Sequence, residues 1–305
     1  MSANALRRDK AEKAGRVPQE SASAAVKYVF AAILLSAGLV VFLYPAVSGL
    51  INERSQTTLV NSFEEAAGDL PAEQKVTSLE QARAYNRSLV GRQAVLADPF
   101  SQGGGYESKV ISFMDVGDIM GYIEIPKIGV TLPIYAGTTE AMLQKGAGWL
   151  AGTSLPVGGA STHTVLTGHR GLPTSRLFTD INKLQEGDEF YIRNLSGILA
   201  YRVVGTRVID PQDTSALGIV EGRDEATLLT CHPYMINSHR LLVTGERVAY
   251  TGQLEHLAEN GGVFASFTAA EKDFTLAVCV SVAILGLVAV LALRSRRKKR
   301  REGAR

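Results

Sequence analysis

Cysteine is almost missing from this 305-residue chain: there are two, Cys231 and Cys279. So small a number excludes a disulfide framework. No His/Cys cluster has metal-ligand spacing and no glycine loop has phosphate-binding spacing, so neither a metal nor a cofactor is expected. Charge is missing from two stretches, Tyr28 to Ile51 and Phe274 to Leu293. At a rise of about 1.5 Å per residue the shorter run reaches about 30 Å, the hydrocarbon thickness of a bilayer. Both stretches therefore read as transmembrane helices. Ala46-Val47-Ser48 also offers a signal-peptidase site, so the first span has a second reading as a long signal peptide.

The charges that are present are unevenly placed. Arg7, Arg8, Lys10, Lys13, Arg16 and Lys27 precede the first run, and Arg294, Arg296, Arg297, Lys298, Lys299, Arg300, Arg301 and Arg305 follow the second. Lysine and arginine gather on the cytoplasmic side of membranes. Both termini are accordingly expected inside and the segment between the runs outside. That segment, residues 52–273, holds 18 basic and 26 acidic side chains, a charge near −8 that argues against a nucleic-acid partner. Cys279 lies within the second run, which leaves Cys231 as the exported segment's one thiol, with no disulfide partner.

Within the exported segment the texture changes along the chain. Leu59, Phe63, Ala66, Val76, Leu79, Ala82 and Leu89 approximate a helical stripe over residues 53–92, broken at Pro71. Residues 93–117 read as a loop. From Gly121 onward short β runs alternate with turn residues: Tyr122–Ile125, Val130–Tyr135, Thr162–Thr167, Glu189–Asn194, Leu199–Ile209, Thr227–Cys231 and Arg240–Tyr250. The expected class is mainly β, a closed or nearly closed barrel. The expected organisation is a basic N-terminus (1–27), a first span (28–51), a helical extension and loop (52–117), a β-barrel domain (118–250), a linker (251–273), a second span (274–293) and a basic tail (294–305).

Three residues stand out as chemistry. Cys231 ends an apolar strand that Pro233 stops; a free thiol ionises near pH 8.5, so it needs a base or a cationic neighbour. His169 stands where the strand Thr164-Val165-Leu166-Thr167 gives way to a glycine-flexed loop. Of the other histidines, His163 lies in a strand body, His232 and His239 adjoin Cys231 and Arg240 on strands whose neighbours face opposite ways, and His256 lies in the linker. Arg240 opens the strand after Cys231, and its rigid fork of five donors suits an oxyanion or a peptide carbonyl.

Thr227-Leu228-Leu229-Thr230-Cys231, with Arg240 downstream and Thr167-Gly168-His169 upstream, resembles the signature of the sortase family: TLxTC, an arginine eight to ten residues later, and TGH before. The likeness extends through Gly121-Tyr122-Ile123-Glu124-Ile125-Pro126 and Gly245-Glu246-Arg247. It implies an eight-stranded barrel and a cysteine transpeptidase with Cys231, His169 and Arg240 as catalytic residues. A C-terminal span and an Asp-Pro-aromatic motif, here Asp98-Pro99-Phe100, are similar to the pilin-polymerising class C. That resemblance implies a lid in which Asp98 pairs with Arg240 and Phe100 covers Cys231. It further implies cleavage of an LPxTG-like sorting signal between Thr and Gly and transfer to a lysine of a pilin subunit. Two alternatives stay open at this point: a housekeeping enzyme that attaches proteins to a peptidoglycan precursor, and a catalytically silent anchored β-domain. A sorting-signal substrate is excluded, because Thr251–Asp273 contains no LPxTG.

Overall fold

A computed structural model describes residues 20–92, 96–101, 105–106, 116 and 119–252, with side chains in the first helix from residue 30 except 32, 33 and 36. The chain divides into two compact units. One holds Ala46–Ala270; the other holds Met1–Pro45 with Glu271–Arg305, and only the helical residues 20–45 of this second unit are described.

Helix α1 runs from Glu20 to Asp69 without interruption, with Pro45 inside it. The stretch 28–51 and the first part of the helical stripe expected from residue 53 run together in it as one helix. No glycine or proline stands between Ile51 and Gly68, so nothing over those sixteen residues stops the 3.6-residue repeat. Helix α2, Ala72–Leu89, follows the break expected at Pro71, which sits as its N-cap, where a missing N–H costs no helical bond. Among the described residues no helix is long and apolar enough to cross a membrane. The expected span 274–293, the linker from residue 253 and the basic tail lie outside the described residues, as do residues 1–19 of the N-terminus.

Eight strands close into a barrel: β1 (Gly121–Ile125), β2 (Val130–Tyr135), β3 (Ala147–Trp149), β4 (Thr162–Thr167), β5 (Glu189–Asn194), β6 (Gly197–Ile209), β7 (Asp224–His232) and β8 (His239–Val248). Their order around the barrel is β1-β2-β3-β4-β7-β8-β6-β5, and β1 pairs with both β2 and β5. Closure leaves no sheet edge to template foreign pairing. Two neighbours are parallel, β2 with β3 and β4 with β7, and each needs a crossover. The first crossover carries the short helix α3, Glu140–Leu143. Seven strands match the sequence reading, with ends shifted by up to three residues. The missed one is β3, whose three residues include a glycine and give no readable alternation.

Period-two alternation sorts the strands' side chains. Ile123, Ile134, Trp149, Leu166, Phe190, Ile192, Leu228, Leu241 and Val243 pack as the barrel's interior. Gly245 makes this packing possible: a Cβ there would lie 2.6 Å from the Phe190 ring. Outside the wall, the second half of α1 seals the barrel against Tyr122 and Tyr135 through Phe63, which is 1% exposed and meets Tyr122 edge to face at 6.2 Å. Tyr122 donates its hydroxyl to Glu64 Oε1 at 2.7 Å and accepts from Arg193 Nη1 at 2.9 Å. Burial, then the Glu64 carboxylate, push the Tyr122 phenol well above its ordinary range. Helix α2 is clipped on by Asn86, which donates to the Leu155 carbonyl at 3.1 Å and accepts from the Leu155 N–H at 2.7 Å.

Removal of the Phe63 ring leaves a cavity between helix and wall, so Phe63→Ala is expected to lower unfolding free energy by about 3–5 kcal/mol. Urea denaturation of the full chain checks this; a loss under about 1 kcal/mol would mean that α1 is only loosely docked.

Candidate active site

Cys231 and Arg240 are cross-strand partners in the antiparallel β7–β8 pair. The same pairing sets Thr227 opposite Thr244 and Leu229 opposite Leu242. These residues, with Val165 on β4, lie on the outer face of the wall, since their alternates Leu228, Leu241 and Val243 fill the interior. The row therefore grades from polar to apolar to reactive. At its inner end His163 Nδ1 donates to the Gly218 carbonyl at 2.8 Å, and its Nε2 accepts from Thr227 Oγ1 at 2.7 Å, which in turn meets Thr244 Oγ1 at 2.8 Å. Burial holds the His163 imidazole below its ordinary range, against the Gly218 hydrogen bond and Glu225. Both of its nitrogens are thus committed, in keeping with a structural histidine. Leu150, Val165, Leu229 and Leu242 form the apolar middle, and Cys231 with Arg240 the outer end.

His169 arrives from β4, the parallel neighbour of β7. Thr167 registers with Leu229, and two hydrogen bonds pin the exit of β4: Gly168 N to the Leu229 carbonyl at 3.1 Å and Thr230 Oγ1 to the Gly168 carbonyl at 2.6 Å. Gly168 lies against Phe178, where an added Cβ would stand 2.9 Å from the ring. The absence of a side chain at Gly168 thus leaves room for the Phe178 ring beside the exit of β4 that leads to His169.

The segment 96–101 covers this end of the row. Asp98 accepts from Arg240 Nε at 2.8 Å and from Arg240 Nη2 at 2.6 Å, a bidentate fork. Arg240 Nη1 donates to the carbonyls of Asn237 and His239 at 2.9 and 2.8 Å. With these bonds a single Nη2 N–H of the guanidinium is left over. The Phe100 ring centre lies 5.3 Å from that of His169 and 5.3 Å from the Arg240 Cζ, so one ring fills the space between the histidine and the arginine. Leu96 and Phe100 also pack on the apolar middle of the row.

The electrostatics follow from this enclosure. Cys231 is 5% exposed, and burial pushes its thiol up to about 11. The charge of Arg240 pulls it down, Asp98 pushes it up, and Arg170 pulls it down again. Arg170, which the sequence reading gave no role, is thus a second guanidinium near the sulfur. It donates to the Thr179 carbonyl at 3.1 Å and to His232 Nδ1 at 3.2 Å, and stacks 6.0 Å from the Tyr234 ring centre. Glu140 was likewise missed: its carboxylate lies 3.0 and 3.2 Å from His169 Nε2. His239 is turned to Ser238 and Asp210, and His256 lies outside the described residues. Among the described residues no group of acidic, histidine or cysteine side chains could hold a metal ion.

Residues 123–248 match the family model of the Sortase domain. The chain is 31% identical over 137 residues to Sortase D of Bacillus subtilis (strain 168), covering 44% of this chain and 66% of that protein. It is 31% identical over 137 residues to Sortase A of Bacillus anthracis, covering 44% and 62%. The matched part thus spans just under two thirds of these curated relatives. Among solved structures, Sortase C1 of GBS Pilus Island 1 is 46% identical with a TM-score of 0.61, over 64% of this chain and 93% of that one. Group B Streptococcus Pilus Island 1 Sortase C2 is 51% identical with a TM-score of 0.56, over 59% and 100%.

Because Asp98 raises the Cys231 thiol and its segment buries it, Asp98→Ala is expected to move the sulfur's ionisation to lower pH. The rate of alkylation by iodoacetamide, followed by intact mass against pH, should rise on the order of tenfold at fixed pH. A rate and pH midpoint equal to wild type would show that this carboxylate has no hold on the sulfur.

Proposed function

This chain belongs to the sortase family of cysteine transpeptidases, and on that premise we propose that Cys231, His169 and Arg240 are its catalytic residues and that it polymerises pilins. In this reading the Cys231 thiolate attacks the Thr carbonyl of an LPxTG-like sorting signal. The Thr–Gly bond breaks, and protonated His169 gives its proton to the departing glycine amine. Arg240 holds the substrate carbonyl or the developing oxyanion. A lysine amine of another pilin subunit then attacks the thioester, His169 takes up its proton, and the thiolate returns.

The observation that carries this reading is the Cys231–Arg240 cross-strand pair, with His169 at the exit of the parallel strand β4 and the Phe100 ring 5.3 Å from both His169 and Arg240. Support for the pilin-polymerising class comes from the covering segment, Asp98-Pro99-Phe100, which we read as a lid. Asp98 occupies the fork that a substrate carbonyl needs, and Phe100 occupies the gap between His169 and Arg240. The solved neighbours named for pilus islands agree with it.

We place the protein at the cell membrane with the barrel on the extracytoplasmic face and both termini inside. Support is the pair of charge-free runs 28–51 and 274–293 with their basic flanks. The described apolar side chains of α1 agree, since Val40, Val41 and Phe42 are 69–74% exposed. Sorting-signal substrates held in the same membrane would then meet the enzyme in two dimensions.

The test uses the full-length protein as wild type, Cys231→Ala and Asp98→Ala/Phe100→Ala. Each is mixed with an LPxTG peptide and a lysine-bearing pilin domain, and intact mass reports thioacyl enzyme and isopeptide product. Product is expected to vanish in Cys231→Ala and to increase when the lid pair is removed. Thioacyl enzyme resolved only by a peptidoglycan-type amine would replace pilin polymerisation with housekeeping anchoring. No adduct in any protein would sink the transpeptidase reading in favour of a silent β-domain.

A further inference from the structure

We infer that Glu140 is a positioning residue that fixes the His169 imidazole through Nε2 and so leaves Nδ1 as the nitrogen that exchanges protons at the sulfur and the substrate. The inference rests on the transpeptidase reading above and concerns which face of the ring does the work. The Glu140 carboxylate is 3.0 Å from Nε2 through Oε2 and 3.2 Å through Oε1. An ionised carboxylate only accepts, so Nε2 must carry the proton in the neutral ring, and the free lone pair falls on Nδ1. When the ring is charged, the proton available for transfer is then the one on Nδ1, while the Nε2 proton stays with Glu140.

The carboxylate is itself held in place. Gln144, one helical turn on, donates to Glu140 Oε1 at 3.0 Å across α3. Partial burial pushes the Glu140 carboxyl up, but the Gln144 hydrogen bond and then the charge and hydrogen bond of His169 outweigh it, so the group lies below its ordinary value. It is therefore ionised at neutral pH. Helix α1 braces both partners with one side chain: Gln56 Nε2 donates to the Lys145 carbonyl just past α3 at 2.9 Å and to Ser175 Oγ on the His169 loop at 3.4 Å. The His169 carbonyl accepts from Phe178 N at 3.1 Å, and Phe100 packs on the ring. The imidazole is thus fixed by its backbone, one face and one nitrogen.

Other charged and titratable groups of the site stand on the neighbouring elements. Arg170 follows His169 in its own loop, Cys231 and His232 come from β7, Arg240 from β8, and Asp98 from the covering segment. Asp98 is spent on Arg240, Arg170 on Thr179 and His232, and Cys231 is a protonated thiol. Among the described residues Glu140 is the carboxylate within hydrogen-bond reach of His169. Its side chain is 65% exposed, so the expected effect is that of a screened pair, not of a buried triad member.

The test labels histidine with nitrogen-15 in the full-length wild type, Glu140→Ala and Glu140→Gln proteins, and identifies the His169 signals by their loss in His169→Gln. At alkaline pH, two-bond nitrogen–proton correlations report which nitrogen bears the proton. The wild type is expected to show His169 protonated on Nε2. Glu140→Ala should gain a share of the Nδ1–H form and lose roughly three- to fivefold in kcat for thioacyl formation at unchanged KM, the scale of an exposed charge pair. Glu140→Gln keeps an accepting oxygen and should restore the Nε2–H form. A wild type protonated on Nδ1, or a Glu140→Ala protein with the wild-type tautomer, overturns the inference. Absence of turnover in every variant overturns the transpeptidase reading instead, and the tautomer still decides this one.

Discussion

The register of β7 against β8 is the constraint on which the rest depends. Side chains alternate with a period of two, so a slip of one residue would send Cys231 into the barrel and bring Leu228 or Thr230 to the surface. The register is held from both sides. Leu228, Leu241 and Val243 are fully or almost fully buried inside, and the Thr227–Thr244 hydroxyl pair locks the outside. A thiol and a guanidinium are therefore neighbours as a consequence of core packing that involves neither of them. The parallel β4 then only has to end at the right height, which Gly168 and Thr230 arrange.

That arrangement sets two opposing electrostatic demands on one sulfur. Enclosure by a ring and an apolar row favours the neutral thiol, while two guanidiniums favour the thiolate. Burial is the largest influence and keeps the thiol neutral, and Asp98 opposes the pull of Arg240. Separating a paired, poorly solvated carboxylate from its arginine is costly. If the segment acts as the proposed lid, whatever opens it must offer Arg240 an acceptor of comparable quality. On the proposed lid reading, substrate entry and thiol activation share one ion pair: the event that frees the fork also uncovers the buried sulfur and removes a charge that adds to the effect of burial.

Much of this was legible in the sequence, for reasons particular to each element. Strands β7 and β8 are long and alternate clearly, so Cys231 and Arg240, nine positions apart, could be placed at one end of a hairpin without the coordinates. Seven strands announced themselves by β-branched runs between glycines and prolines. Strand β3 did not, because Ala147-Gly148-Trp149 is too short to show a period. The continuity of α1 was not legible because hydropathy changes at Asn52 while the helix does not: charge marks an environment, not a backbone ending. Glu140 and Arg170 escaped for a different reason. Glu140 lies 29 residues before His169, on a four-residue helix, and only the β2–β3 crossover brings them together. Arg170 adjoins His169 in sequence, yet its bearing on Cys231 comes from the loop's fold.

The covering segment also bears on how long the protein keeps its chemistry. Peroxides and disulfides react with the thiolate and need a path to it. A sulfur that is 5% exposed, protonated to about pH 11 and roofed by Phe100 offers neither the anion nor the path. Cys231 has no second described cysteine to resolve a sulfenic acid, so an oxidation there would have no neighbouring thiol to reverse it. On the proposed lid reading the closed site is a form of storage, in which the proposed nucleophile is kept unreactive until a ligand displaces Asp98.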